Sequence, residues 1–147
     1  DREVAVRFGE SFGKRPDVLK YPADVMEFVK QGATSFHASE ERWSNPLALT
    51  TELSRRELES LRTGWDLVLD IDCAVLEYSK IAASLVVQAL KHNDVENISI
   101  KFSGNKGFHI GVPYESFPQK VAGVDTSTIF PEHARRIALY ARRAFQR

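Results

Sequence analysis

Trp65-Asp66-Leu67-Val68-Leu69-Asp70-Ile71-Asp72 carries apolar Leu67, Leu69 and Ile71 in alternation with Asp66, Val68, Asp70 and Asp72. A period of two belongs to a β-strand with one face on a core and the other in water. The stretch predicts a strand over 65–72. Residues two apart share a face, so Asp70 and Asp72 stand side by side at its end. The period then changes. Tyr78, Ile81, Ala82, Leu85, Val86, Ala89 and Leu90 recur at helical spacing over Tyr78–His92, with Asn93 as the stop. Asn97–Ser103 and Phe108–Val112 then read as two short strands around Gly104-Asn105-Lys106-Gly107.

Outward from this segment the pattern persists. Arg2–Phe8 reads as a strand, and Tyr21-Pro22-Ala23-Asp24 opens a helix through Lys30 that Gly32 closes. Ala33–His37 reads as a strand, Ser44-Asn45-Pro46 as a turn, and Leu53–Leu61 as an amphipathic helix ending before Gly64. The segment His133–Arg147 reads as a helix with Ile137, Tyr140 or Ala141, and Ala144 on one face. Arg135, Arg136, Arg142, Arg143 and Arg147 surround the rest, as simple solvated surface or as a nucleic-acid contact. Strands interleaved with helices predict an α/β (α+β) fold, a mixed β-sheet with flanking helices. A length of 147 residues suits a single domain over 1–147. The first strand starts without a preceding turn and the last helix has no Gly or Pro stop, the pattern expected of a piece of a longer chain.

Composition narrows the class. Twenty Lys and Arg balance twenty Asp and Glu, so any nucleic-acid contact must come from local patches and not from overall charge. Cys73 is the only cysteine, which excludes an internal disulfide and a Cys-based zinc site. No apolar run approaches the ~20 residues of a membrane helix, and Asp1–Val6 lacks a signal-peptide pattern. A cytoplasmic protein that does not engage membranes is expected.

Two constellations carry chemistry. Asp70 and Asp72 place like charges side by side at the end of an apolar strand, which calls for a compensating cation. Carboxylate oxygens suit a hard divalent ion, Mg²⁺ or Mn²⁺. Taken alone, Asp-x-Asp also occurs in turns and on ordinary surface. Phosphatases of the haloacid-dehalogenase type share the spacing, but there a Thr or Val with Gly typically follows. Here Cys73-Ala74-Val75 follows, and no helix-borne lysine with an acidic pair comes after it.

The second constellation is Ser103-Gly104-Asn105-Lys106-Gly107-Phe108-His109. Its glycines let backbone amides approach an anion, and Ser103, Lys106 and His109 add a hydroxyl, a point charge and an imidazole. Together they suit a triphosphate beside metal ions; a hairpin turn with a half-buried histidine is the other reading. It is not a Walker loop, because GxxxxGK[ST] is absent and a strand follows. A two-residue turn at Asn105-Lys106 would pair Phe102 with His109 and turn the imidazole to the apolar face. Function needs His109 on the face of Lys101 and Ser103, so a wider loop or a bulge at Gly104 or Gly107 is expected.

Asp70-Ile71-Asp72, a helix, a strand and then SGxxGxH resembles the first two signature motifs of the archaeo-eukaryotic primase superfamily, in its archaeal small-subunit form. Arg2-Glu3 resembles the Arg-Glu strand near the start of those proteins, Gly32–His37 the strand before their DxD motif, and Phe102-Ser103-Gly104 their hydrophobic lead-in. The likeness runs from about Arg2 to Arg136. It implies a primase-type catalytic core in which Asp70 and Asp72 hold two Mg²⁺ or Mn²⁺ ions. Ser103, Gly104, Lys106, Gly107 and His109 would bind the triphosphate, with Glu3 near the same site and Arg2, Arg15 and His37 as weaker correspondences. The implied activity is template-directed nucleotidyl transfer that makes primers in DNA replication. Nucleoside triphosphates, DNA template and primer, and a primase large subunit would be its partners. The chain departs from the family in two ways. The family's third acid, on a downstream strand, has no convincing counterpart in the 38 residues after His109, where Asp125 and Glu132 lack strand contexts. The zinc knuckle of many small subunits is also missing. A primase-like module that binds nucleotide or nucleic acid without polymerising is therefore the alternative.

Overall fold

The structure is a computed structural model that describes residues 1–144. It is a mixed α/β protein of small antiparallel sheets and, among the described residues, four α-helices. The chain forms two compact units, Asp1–Gly64 and Trp65–Arg147.

In the first unit, β1 (Val4–Phe8) is flanked by β2 (Ser11–Phe12) and β3 (Ser35–Ala38). Helix α1 (Pro22–Lys30) lies between β2 and β3 in sequence. Its start is fixed by the Asp24 carboxylate, which accepts from the backbone N–H groups of Lys20 and Tyr21. Phe28 on α1 meets Phe8 and Phe36 edge-on, both at 6.4 Å between ring centres. β4 (Glu41–Trp43) follows, then α2 (Arg55–Leu61) and β5 (Arg62–Trp65), which pairs with β4. Ser54 and Glu57 form the capping box of α2, and the Ser54 hydrogen bonds hold the Glu57 carboxyl below its ordinary range.

The second unit holds β6 (Leu67–Asp72), α3 (Leu76–His92), β7 (Ser99–Phe102) and β8 (Gly107–Val112). A short hairpin, β9 (Lys120–Val121) and β10 (Val124–Asp125), precedes α4 (Glu132–Ala144). The main sheet is antiparallel in the order β6-β8-β7. Register puts Leu67 opposite Val112, Leu69 opposite Ile110 and Ile71 opposite Phe108, all on one face. That face packs with Ala83, Val86 and Leu90 of α3 and Ala141 of α4. Trp65 closes the core, 1% exposed; its ring lies 5.0 Å from Phe117, and its Nε1–H donates to the Thr126 carbonyl at 2.7 Å.

Two expectations change on contact with the structure, and one alternative is decided. The strand expected over 65–72 breaks at Asp66, whose carboxylate accepts the Tyr114 N–H at 3.0 Å. The buried face of α3 is also rotated by about one residue. It consists of Ser79, Ala83, Val86 and Leu90, while Tyr78 is 64% and Ile81 58% exposed. Periodicity counts the larger apolar side chains, whereas close approach to a sheet favours the row with small ones. Ser79 also has a polar task there, since its Oγ accepts the Cys73 N–H at 3.1 Å and ties the turn after β6 to the helix. On α4, Ala141 and not Tyr140 is the buried member, 3% against 54% exposed. Phe145, Gln146 and Arg147 of the expected helix lie outside the described residues. Among the described residues, no helix is long and apolar enough to cross a membrane.

Candidate functional site

The open face of the β6-β8-β7 sheet gathers the chemistry. Ser103 and Gly107 close the loop between β7 and β8: the Ser103 N–H donates to the Gly107 carbonyl at 2.9 Å, and the Gly107 N–H donates to Ser103 Oγ at 3.1 Å. The connection is therefore Gly104-Asn105-Lys106, one residue wider than a two-residue turn, and Gly104 takes φ +98°, where a side chain would be strained. This widening resets the register as expected from the sequence. Phe102 pairs with Phe108, their rings 5.6 Å apart, and His109 pairs with Lys101 on one side and Asp70 on the other.

Because directly opposed residues share a face, Asp70, Asp72, Lys101, Ser103 and His109 all belong to the uncovered side. His109 Nε2 stands 3.6 Å from Asp70 Oδ1, with both side chains substantially exposed. Asp72, Lys101 and Lys106 are exposed and make no ion pair among the described residues. Gly107 sits where strands crowd: a Cβ there would come within 2.4 Å of the Ile71 carbonyl oxygen. The motif glycine thus lets the loop seat directly against the end of the acidic strand. Lys101 lies outside the motif but joins the face opposite His109, as its position two residues before Ser103 indicates.

The donor set is two carboxylates side by side with an imidazole next to one of them. Such oxygen-rich chemistry fits a hard divalent ion. Among the described residues, however, no group of three or more His, Cys, Asp or Glu side chains is arranged to hold a metal ion.

The remaining expected residues belong to the first unit and have structural partners there. Glu3, 6% exposed, is gripped by the Arg15 fork, Nε to Oε1 at 2.8 Å and Nη2 to Oε2 at 3.0 Å. The hydrogen bond and charge of Glu3 raise the Arg15 pKa above its ordinary value. Both edges of β1 are taken by β2 and β3, so the strand after Glu3 is not a sheet neighbour of β6. Arg2 donates to the carbonyls of Ser39 and Glu40 at 2.7 and 3.2 Å. His37 Nε2 lies 2.9 Å from Ser35 Oγ, and its ring lies edge-on to Phe12. On α4, Arg135, Arg136, Arg142 and Arg143 are exposed, as a solvated or ligand-contacting basic face requires.

No protein-family model matches the chain. Among curated proteins it is similar to the uncharacterized protein MJECS07 of Methanocaldococcus jannaschii, 31% identical over 120 residues. The similarity covers 77% of this chain and 25% of that protein, so the chain spans about a quarter of the length of the curated relative it matches.

Proposed function

We propose that this chain is the catalytic core of a primase-type nucleotidyltransferase, extending a nucleic-acid strand from nucleoside triphosphates on a DNA template. One observation carries the reading: strand register brings Asp70, Asp72 and His109 onto one open face beside Ser103 and Lys101. A hard divalent ion, Mg²⁺ or Mn²⁺, held by Asp70 and Asp72 would neutralise the triphosphate and activate a 3′-hydroxyl. Lys106 and Ser103 hold the outer phosphates, and the loop amides approach them closely because Gly104 and Gly107 carry no side chain. His109 donates a hydrogen bond to a phosphate oxygen, with Asp70 at its side orienting the ring. Template and primer are gripped through their phosphates, and a primase large subunit is the proposed partner in the cytoplasm.

The third acid that the resemblance calls for would come from a segment outside 1–147. Among the described residues β6 pairs with β8 alone, so a further strand could add along its other edge, next to Asp70 and Asp72. A second reading is a nucleotide-binding module without polymerase activity, which the absence of a three-ligand metal group among the described residues favours. Calorimetry with Mn²⁺ tests the common part: Asp70→Asn with Asp72→Asn should abolish binding while the fold is kept, and unchanged affinity would remove these residues from the site. Primer extension with Mn²⁺ separates the two readings. The 147-residue chain should extend poorly or not at all, and a longer version carrying the downstream segment should extend robustly and lose this with Asp70→Ala. A longer version that binds nucleotide but never extends a primer would establish the binding module.

A further inference from the structure

The open face does not end at His109. The next same-face row is Val68, Gly111 and Ser99, paired across the sheet. A cleft of about 470 Å³ lies over it, walled by Asp66, Val68, Asn97, Ser99, Gly111 and Pro113. Its floor is flat because Gly111 has no side chain; a Cβ there would come within 2.6 Å of Ser99 Oγ. Val68 is 43% exposed, an apolar side chain on the same face as two carboxylates. Around it stand the Ser99 hydroxyl, which donates to the Gly111 carbonyl at 3.3 Å, the Asn97 amide, which donates to Ser116 Oγ at 3.4 Å, and the Asp66 carboxylate, which accepts the Tyr114 N–H.

We infer that this trough receives the nucleoside half, sugar and base, of the triphosphate whose phosphates occupy the Ser103–His109 loop. The inference rests on the triphosphate reading given above. Distance supports it: from the Gly107 row to the Gly111 row is four residues of strand, about 13 Å, the reach of a nucleoside triphosphate from its last phosphate to its base. Charge supports it as well. Among the described residues the cleft's lining contains no Lys or Arg, which suits a neutral, hydroxyl-bearing group better than a phosphate backbone. Val68 and Gly111 offer a surface for the flat base and sugar, and Ser99 Oγ and the Asn97 side-chain carbonyl offer acceptors for sugar hydroxyls.

The test compares Mn²⁺–ATP with Mn²⁺–tripolyphosphate by calorimetry, on the whole chain and on Ser99→Ile. Ser99 is exposed on an edge strand, where a β-branched residue fits, and the larger side chain fills the trough. ATP affinity should fall about tenfold, the loss of roughly one good contact group, with tripolyphosphate affinity unchanged. Asn97→Ala, in the loop before β7, should show the same selectivity with a smaller drop, independently of any effect of the bulky substitution on folding. Equal weakening of both ligands, or undiminished ATP binding, overturns the trough while leaving the phosphate loop intact. If the unaltered chain binds neither ligand, the acidic-face reading itself falls and takes the trough with it. Loss of single-stranded DNA binding without loss of ATP binding would assign the trough to the template instead and overturn the inference.

Discussion

Strand β8 serves two faces with alternate residues, and the two sets obey different rules. Phe108, Ile110 and Val112 face the helices, with Ile110 fully buried and Val112 2% exposed. Gly107, His109 and Gly111 face the other way, two of them without any side chain. One face is filled to exclude water. The other carries little apolar surface, and on it Asp72 and Lys101 make no ion pair among the described residues. The first arrangement is what stability selects, and the second is what a ligand-binding surface needs.

The comparison is most exposed to a truncation on each side. Ile110→Ala removes a side chain held by Leu69 and α3 and should cost about 2–5 kcal/mol in urea unfolding. His109→Ala, its neighbour in sequence, should cost no more than about 0.5 kcal/mol while weakening triphosphate binding. Comparable losses at the two positions would show that the open face is a second packing surface. Between these extremes lie the glycines. Gly107→Ala drives a methyl against a backbone oxygen at 2.4 Å, which cannot swing aside, so about 1–3 kcal/mol of destabilisation is expected. Gly111→Ala meets only the end of the Ser99 side chain, which can rotate, so its cost should be the smaller of the two. A reversed order would mean that the strands shift to accommodate the methyl at Gly107.

The sequence made the strand alternation legible because a period of two assigns every residue to a face at once. The acidic strand, the loop and the helix between them could be placed on that basis, and the need for a wider loop followed from where His109 had to point. Other features left no such trace. β4, β5 and the β9–β10 hairpin are short, and their residues do not alternate long enough to register. The row of α3 that packs was hidden by Ser79 and Ala83, small residues that apolar counting passes over. Glu3 was placed near Asp70 and Asp72 by resemblance alone, and the structure gives its buried carboxylate to Arg15.

The smallest expected effect is the most direct statement about the open face. Asp70 and Asp72 lie two residues apart on one strand, and the Asp70 side chain is 69% exposed. If they served stability, replacing both with Asn would remove favourable partners and cost free energy. Among the described residues their one ion-pair partner is His109, 3.6 Å from Asp70, and Asp72 has none. Removing two like charges relieves a weak, solvent-screened repulsion. In metal-free buffer the double variant should therefore match the unaltered chain within about 0.5 kcal/mol, since exposed charge interactions rarely exceed that scale. Any difference should be a gain in stability, larger at ~0.01 M salt than at ~0.15 M, where the screening length falls from about 30 to 8 Å. Thermal melts at the two ionic strengths measure it. A clear loss of stability, independent of salt, would mean that the pair is structural and that the two faces of the sheet are more alike than their burial indicates.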